Sequence, residues 1–510
     1  MITKLVDSDS NAILNVINNA AYVYKNVIPS DFWKEPYMTA EDLANSTQFY
    51  GLKEDNTLVA VMGIQSIKDV TLIQHSYVLT NQQHKGYCEK LLRHILNSTV
   101  SSTFLVCVWK DAFWAVNFYT KQGFKETSKK EKNRLMYTYW NVSEHQITNS
   151  TVLKIQKQNP KTIILQINPT NPEPQKIKTA AKIIQRGGLV AFPTETVYGL
   201  GANALNNNAV LALFKAKNRP IDNPPILHIA NTNQVYQLAK EVPQNAEVLM
   251  KQFWPGPLTL IFKRSETIPQ ETTAGLDTVA LRIPCNNIAL ALIKQSNTPI
   301  AAPSANLSGK PSPTTAKHVY DDLNGKIDAI LDGGPTNIGV ESTVLDLSVD
   351  PPMLLRPGGT SFEDIQLVIP NVMLHPFVTS EQEVTIKQVR SPGMMHKHYA
   401  PNAEVLLVEG TLQAMVAKIT ALSEKYKHEG KKVGVLATDE TKQNYVAYTV
   451  KSMGSRSSIG TIASNLFKEL REFNENSVDV ILAESVPLDG AGLAIMNRLR
   501  KASGYHIIKA

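Results

Sequence analysis

A chain of 510 residues is longer than one ordinary hydrophobic core serves, so about two to four domains are expected. Hydrophobic residues at 43% and charged ones at 19% describe a folded protein. No stretch approaches the roughly 18–20 continuous apolar residues of a membrane span, and the N-terminus lacks a signal-peptide core, so a cytoplasmic protein without a membrane partner is expected. Three scattered cysteines, Cys88, Cys107 and Cys285, argue against a disulfide framework and against a cysteine metal site. A formal charge of +7 suits a protein working near RNA or nucleotides without establishing nucleic-acid binding.

Residues 1–142 read as an α+β domain. Ala12, Leu14, Val16 and Ile17 mark a first helix, and 57–64 and 70–79 read as neighbouring strands. Gln83-His84-Lys85-Gly86-Tyr87-Cys88 lies between that second strand and a helix carrying Leu91, Leu92, Ile95 and Leu96. Backbone amides at a Gly-containing helix start suit a pyrophosphate, although a plain strand-to-helix turn has the same pattern. A strand at 104–108 and a short helix through Phe118 and Tyr119, closed by Gly123, follow. Together these elements resemble the acyl-CoA-binding core of the GNAT acetyltransferases. The resemblance implies acetyl-CoA as cofactor, held by Gln83, Gly86, Cys88, Asn117 and Tyr119, with Tyr119 placed to protonate the departing thiolate. Cys88 departs from the Gly or Ala of that family, and Phe118 and Tyr119 also read as core aromatics. Residues 143–160 turn polar without periodicity and read as a linker.

The second domain, 161–370, holds most of the chemistry. A helix through Ile177, Ala180, Ala181 and Ile184 stops at Gly187-Gly188, and an apolar strand at 189–192 ends on Pro193. Thr194, Glu195, Thr196 and Tyr198 are thereby delivered at a strand's carboxyl end, the usual mouth of an α/β site. Asn206, Asn207 and Asn208 offer caps to a helix that Pro220 is expected to terminate. Lys217 and Arg219 at its end either complement the helix dipole or, beside an apolar strand at 226–229, enter an anion pocket. Along 278–284, alternation puts Arg282 among apolar residues, where it must find an anion: an intramolecular carboxylate or a substrate's carboxylate. Ser304 and Asn306, Ser312, Ser342 and Thr343, and Arg356 arrive at further strand ends. Hydroxyls converging with three cations, with no metal-ligand cluster and no nucleophile–base pair, suggest a site that positions a polyanion and a small polar molecule without covalent catalysis. Neither a P-loop nor a Gly-x-Ser-x-Gly elbow is present.

Pro193-Thr-Glu-Thr-Val-Tyr-Gly199, Lys217-x-Arg219, Trp254-Pro-Gly-Pro-Leu-Thr259, Pro303-Ser-Ala-Asn306, Glu341-Ser-Thr343 and Arg356-Pro-Gly358 resemble, in order, the motifs of the YrdC-like threonylcarbamoyl-adenylate synthases in their long, two-domain form. The resemblance implies a multidomain α/β and α+β protein: the GNAT-like domain, a twisted open α/β sheet around a large cavity, and a small C-terminal Rossmann-like domain. It implies that L-threonine, bicarbonate and ATP with Mg²⁺ give threonylcarbamoyl-AMP and pyrophosphate, feeding the tRNA threonylcarbamoyl transferase machinery. By motif position Thr194, His228, Arg282, Ala302 and Ser342 would line the L-threonine site. Arg219, Asn223, Thr278, Ser304, Ser312 and Arg356 would hold ATP, and Lys217, Arg219, Ser304 and Asn306 would be catalytic. Residues 371–402 read as a linker over the active site, with His396 at the place of a nucleotide-contacting Tyr. Residues 403–510 alternate strand and helix in a Rossmann-like pattern without a dinucleotide fingerprint. The last helix carries Asn497, Arg498, Arg500 and Lys501, either a solvated face or a surface docked on the second domain. Two other readings are an RNA-binding protein with a basic concave face for double-stranded RNA or tRNA, and an acetyltransferase with a YrdC-like sensor.

Overall fold

Three hydrophobic sheets organise the chain, in a computed structural model that describes residues 2–43, 47–99, 101–140, 142–156, 162–382 and 399–510. Two compact units result, residues 1–159 and 160–510. No helix among the described residues is long and apolar enough to cross a membrane.

In the first unit the seven strands run in the order Ile2–Lys4, Gln48–Glu54, Thr57–Ile67, Val70–Val78, Thr103–Trp109, Ser150–Gln156 and Lys125–Glu126. Helix Ser10–Ala21 buries Ile13, Val16, Ile17 and Ala20, spaced for one face of a 3.6-residue turn. Val70–Val78 and Thr103–Trp109 are the parallel pair, and they pair only from Thr71 to Ile73. Beyond that point His75 adopts a left-handed backbone, φ 49°, and the strands part, opening a cleft. The segment 143–160, expected to be a linker, instead holds helix Glu144–Thr148 and strand Ser150–Gln156. Alternating Val152 and Leu153 are both buried and pair across Thr103–Trp109, a tertiary context the polar flanks conceal.

The second unit holds an eleven-stranded mixed sheet and a five-stranded one. Helix Pro174–Gln185 starts with Pro in its first turn and ends before Gly187, φ 87°. It buries Ile177, Ala180, Ala181, Ile183 and Ile184 in the same apolar cluster as helix Asn287–Ser296. Helix Asn207–Lys217 is capped by the Asn206 side chain, which accepts from Ala209 N–H at 3.2 Å. Its end differs from expectation: Asn218, φ 51°, closes it before Pro220, with Arg219 N–H donating back to Phe214 O at 2.9 Å. The strand order around the site is Met353–Arg356, Thr343–Asp346, Leu258–Lys263, Thr278–Arg282, Leu227–His228, Ile300–Ala301, Gly199–Asn203 and Val190–Phe192.

The smaller sheet is entirely parallel, in the order Thr449–Ser452, Val433–Ala437, Val480–Glu484, Glu404–Glu409 and Ile507–Lys509. Helix Ala491–Ala502 is buried over nearly its whole length. A solvated face for Asn497, Arg498, Arg500 and Lys501 is therefore overturned: all four are buried, and Arg498 and Arg500 reach carboxylates and carbonyls. Helix Ile459–Glu475 approaches the loop that leads into strand Thr343–Asp346 so closely that a Cβ on Gly339, φ 81°, would lie 2.3 Å from Ser464 Cα. The start of the expected linker 371–402 is ordered too, with strand Met373–Leu374 and helix Pro376–Thr379 burying Val372, Phe377 and Val378.

Candidate functional site

Strand ends from both halves of the large sheet deliver the polar residues. After Val190–Phe192 the chain turns on Thr194, whose hydroxyl accepts from the N–H groups of Thr196 and Val197, both at 3.2 Å, and donates to Val197 O at 2.7 Å. Leu227–His228 and Thr278–Arg282 run parallel with His228 opposite Arg282, so two neighbouring strands finish at one wall of the cavity. Arg282 Nη2 donates to Glu195 Oε1 at 2.6 Å and to Thr196 Oγ1 at 3.1 Å, and Nε donates to Gly256 O at 3.2 Å. The intramolecular carboxylate therefore exists, and it is Glu195. Glu195 Oε2 is buried without a hydrogen-bond partner among the described residues.

Arg219 and Arg356 bring two more guanidinium groups. Arg219 Nε donates to Asn223 O at 3.0 Å and Nη2 to Asn223 Oδ1 at 2.8 Å, so the turn following the helix clamps the side chain. Arg356 donates through Nε to Ser342 O at 3.0 Å and through Nη2 to Ser342 Oγ at 3.1 Å, while Ser342 Oγ also bonds Thr259 Oγ1 at 2.7 Å. Ser312 Oγ donates to Glu341 Oε1 at 2.7 Å. The other oxygen, Glu341 Oε2, accepts from Nε and Nη2 of Arg498, both at 3.0 Å. The C-terminal helix thus reaches the cavity wall. Tyr399 lies there as well, stacked on Phe467 at 5.2 Å and 5.7 Å below the Arg498 guanidinium.

Of the expected residues, Thr194, Arg219, His228, Arg282, Ala302, Ser304, Asn306, Ser312, Ser342 and Arg356 line this one cavity. Three others do not. Lys217 is 1% exposed and turns its ammonium onto the carbonyls of Ser304 and Asn306, fixing the loop that presents Ser304 Oγ, which donates to Asn306 Oδ1 at 2.6 Å. Asn223 is buried and serves Arg219. Thr278 begins the strand that Arg282 ends, about 13 Å away at strand rise. His396 lies outside the described residues. The aromatic residue at the cavity is Tyr399, within the His398-Tyr399-Ala400-Pro401 run. Glu195 and Thr196, expected at this strand end without a role, hold Arg282, whereas Lys310 and the pairing of Glu341 with Arg498 were not expected, although Glu341 stands inside a quoted motif.

Burial sets the protonation states. It drives Lys217 well below the usual ammonium range and Arg219 down to about 9, the latter aided by Arg356. His228 falls to about 3 through burial and the neighbouring Arg282 charge, so its imidazole is neutral at pH 7. Burial pushes Glu341 up, but the charges of Arg498 and Arg356 and the Ser312 bond outweigh it and hold the carboxyl at about 2. The wall is therefore cationic and rich in hydroxyls at neutral pH. No group of three or more His, Cys, Asp or Glu that could hold a metal ion occurs among the described residues.

In the first unit, Gln83, Gly86, Cys88 and Tyr119 line the cleft of about 980 Å³ between the parted strands. Gly86, φ 75°, starts helix Tyr87–Ser98, whose first amides have no helical acceptor. Tyr119 OH bonds Ser76 Oγ at 2.7 Å. Asn117 is exposed and does not line the cleft, because it lies on the face of helix Phe113–Lys121 opposite the buried Ala115 and Tyr119.

Comparison with known proteins matches residues 182–358 to the family described as Telomere recombination, 360–504 to Threonylcarbamoyl-AMP synthase, C-terminal domain, and 18–124 to the Acetyltransferase (GNAT) family. A threonylcarbamoyl-AMP synthase of Pyrococcus abyssi is 56% identical over 348 residues, 68% of this chain and 99% of that protein. The chain belongs to the threonylcarbamoyl-AMP synthase family. It is a nucleotidyl-transferring enzyme with an additional N-terminal GNAT domain. The synthase of Bacillus subtilis is 51% identical over 66% of this chain and 95% of its own length. The crystal structure of P. abyssi Sua5 complexed with L-threonine superposes with a TM-score of 0.65 at 55% identity, covering 68% of this chain and all of that one.

Proposed function

We propose that the cavity condenses L-threonine, bicarbonate and ATP into threonylcarbamoyl-AMP with release of pyrophosphate, for threonylcarbamoyladenosine modification of tRNA. The observation that carries this is the convergence of Arg219, Arg282 and Arg356 with Thr194, Ser304 and Ser342 on one wall of a synthase-family chain. Arg282 makes no hydrogen bond through Nη1 to a described residue, and this donor takes the L-threonine carboxylate while Glu195 holds Nη2. His228, Ala302 and Ser342 frame the same amino acid. Arg219, Ser304, Asn306, Ser312, Arg356 and Tyr399 hold the nucleotide, and Lys217 and Asn223 hold the residues that do so.

The amine of L-threonine forms its C–N bond to the bicarbonate carbon as water is lost, giving a carbamate whose oxygen attacks the α-phosphorus as pyrophosphate leaves. Arg219 and Arg356 stabilise the charge on the phosphates, so positioning and fixed electrostatics supply the rate. Mg²⁺ enters as part of the ATP substrate. The cavity offers mainly hydroxyls, and its lining carboxylate, Glu341, is committed to Ser312 and Arg498. The domain division 1–142, 161–370 and 403–510 belongs to this reading, with the first domain extended to the strand ending at Gln156, as does a cytoplasmic location. In the first unit, acetyl-CoA occupies the cleft with its pyrophosphate on the amides after Gly86, and Tyr119 protonates the thiolate.

Pyrophosphate release from ATP tests the synthase reading: it should require both L-threonine and bicarbonate and fall at least about 100-fold in Arg282→Ala. Release without threonine would overturn it.

A further inference from the structure

The cleft of the first unit continues past Ser76 and Tyr119 into a wall built of rings. Tyr24, Tyr37, Tyr77 and Trp114 all line it. Tyr24 meets Trp114 at 5.2 Å and Tyr77 at 6.2 Å, and Tyr37 meets Tyr77 at 6.2 Å, giving one contiguous aromatic surface. Charge is scarce at this end. His75 stacks on Phe49 at 5.9 Å, and burial lowers its imidazole to about 4, which leaves it neutral. Burial likewise holds Tyr24 and Tyr77 in the phenol form. Among the described lining residues the one carboxylate is Glu89, which Arg93 engages at 2.6 Å from the same helix. Lys85 and Lys121 are the lining cations.

Two classes of acceptor amine make opposite demands on such a wall. A polyamine or basic peptide needs carboxylates to offset several positive charges, and the cleft offers one, already engaged by Arg93, beside two lysines, of which Lys85 adjoins Gly86 at the far end. A primary amine carried on a flat aromatic body needs ring faces and edges at about 4.5–7 Å, where aromatic pairing adds to burial. We infer that the first unit acetylates small aromatic primary amines, with the Tyr24–Trp114–Tyr77–Tyr37 surface as the acceptor site. This rests on the acetyl-CoA reading of the cleft. The reaction balances within the groups named. The free amine nitrogen forms the C–N bond, the C–S bond breaks, and the surplus proton on nitrogen passes to water. Tyr119 protonates the thiolate through its phenol and is reprotonated from solvent.

Placement supports this order of events. The Tyr119 hydroxyl is tied to Ser76, the residue after His75, where the two parallel strands have begun to separate, so the proton donor sits between the amide-rich end and the ring-lined end. A thioester laid from the Gly86 amides toward Tyr119 brings its carbonyl to the edge of the aromatic surface.

The full-length protein is first titrated with acetyl-CoA by calorimetry, then assayed for CoA thiol release with tryptamine, phenethylamine, spermidine and a lysine-containing peptide. Acetyl-CoA should bind, and the two aryl amines should be acetylated with kcat/KM at least about tenfold above the others. Trp114 is 43% exposed, so Trp114→Ala leaves the fold intact. It should lower kcat/KM for tryptamine about tenfold without changing the acetyl-CoA Kd. Binding of acetyl-CoA with spermidine or the peptide preferred, with no aryl amine turned over, or with Trp114→Ala equal to the parent overturns the acceptor assignment alone. Failure to bind acetyl-CoA overturns the cofactor reading beneath it.

Discussion

Arg498 is the most informative single position, because a residue of the C-terminal helix neutralises a carboxylate on the cavity wall. It is fully buried and gives two hydrogen bonds to Glu341 and one, at 2.6 Å, to Pro357 O. Arg498→Ala leaves the buried Glu341 carboxylate with the Ser312 bond and the more distant Arg356 charge in place of its ion pair, which costs about 3–5 kcal/mol. Net of burial, Arg498, Arg356 and Ser312 together hold Glu341 at about 2 against an ordinary 4.5, a difference on the order of 3 kcal/mol for the set. Because the folded pKa is the lower one, this stability is complete above pH 4.5 and is lost as pH falls toward 2. Urea unfolding at pH 7 should show Arg498→Ala destabilised by about 3–5 kcal/mol, with a weaker loss of stability between pH 4.5 and 2. Pyrophosphate release should show a raised KM for ATP, since Ser312 donates to the same carboxylate. A double replacement, Arg498→Met with Glu341→Leu, should recover stability but not the ATP KM. The reasoning is refuted if Arg498→Ala unfolds within about 1 kcal/mol of the parent and keeps the parent's ATP KM.

Other substitutions probe the threonine wall. Arg282→Lys keeps the charge but loses the fork that serves Glu195, Thr196 and the substrate together; KM for L-threonine should rise at least about tenfold with KM for ATP unchanged. Glu195→Gln removes the charge-assisted bond to Nη2 and should raise the threonine KM about tenfold, while acting little on nucleotide binding measured by calorimetry. His228 adds nothing to pH dependence above 6.5. Below it the unfolded chain takes the proton first, so stability declines as pH falls toward about 3, and His228→Gln should flatten that part of an acid-unfolding curve.

Periodicity and motif spacing carried most of this architecture. The amphipathic helix ending at Gly187, the strand bearing Arg282 and the parallel C-terminal sheet were legible because each is a local pattern of apolar residues with its own punctuation. Ten of the expected site residues meet at one cavity because motif order reports strand ends. The departures are of another kind. Lys217 and Arg219 stand two residues apart at one helix end, yet the left-handed Asn218 between them sends one beneath the Ser304 loop and the other to the cavity. Spacing cannot distinguish those directions. Strand Ser150–Gln156 escaped notice because its polar residues face neighbours that only the folded sheet supplies. For Arg498 a solvated face and a surface docked on the second domain stayed open alternatives, because its partner, Glu341, is 157 residues away.

Gly339 extends the reasoning beyond this molecule. With its backbone against Ser464, the loop before strand Thr343–Asp346 and helix Ile459–Glu475 meet main chain to main chain, and no side chain fits between them at this point. The position therefore serves as a marker of architecture. In relatives that lack the C-terminal sheet the steric reason disappears and the left-handed backbone, φ 81°, remains as the reason for glycine, whereas a two-sheet relative with a bulky residue at this position must seat its C-terminal portion differently.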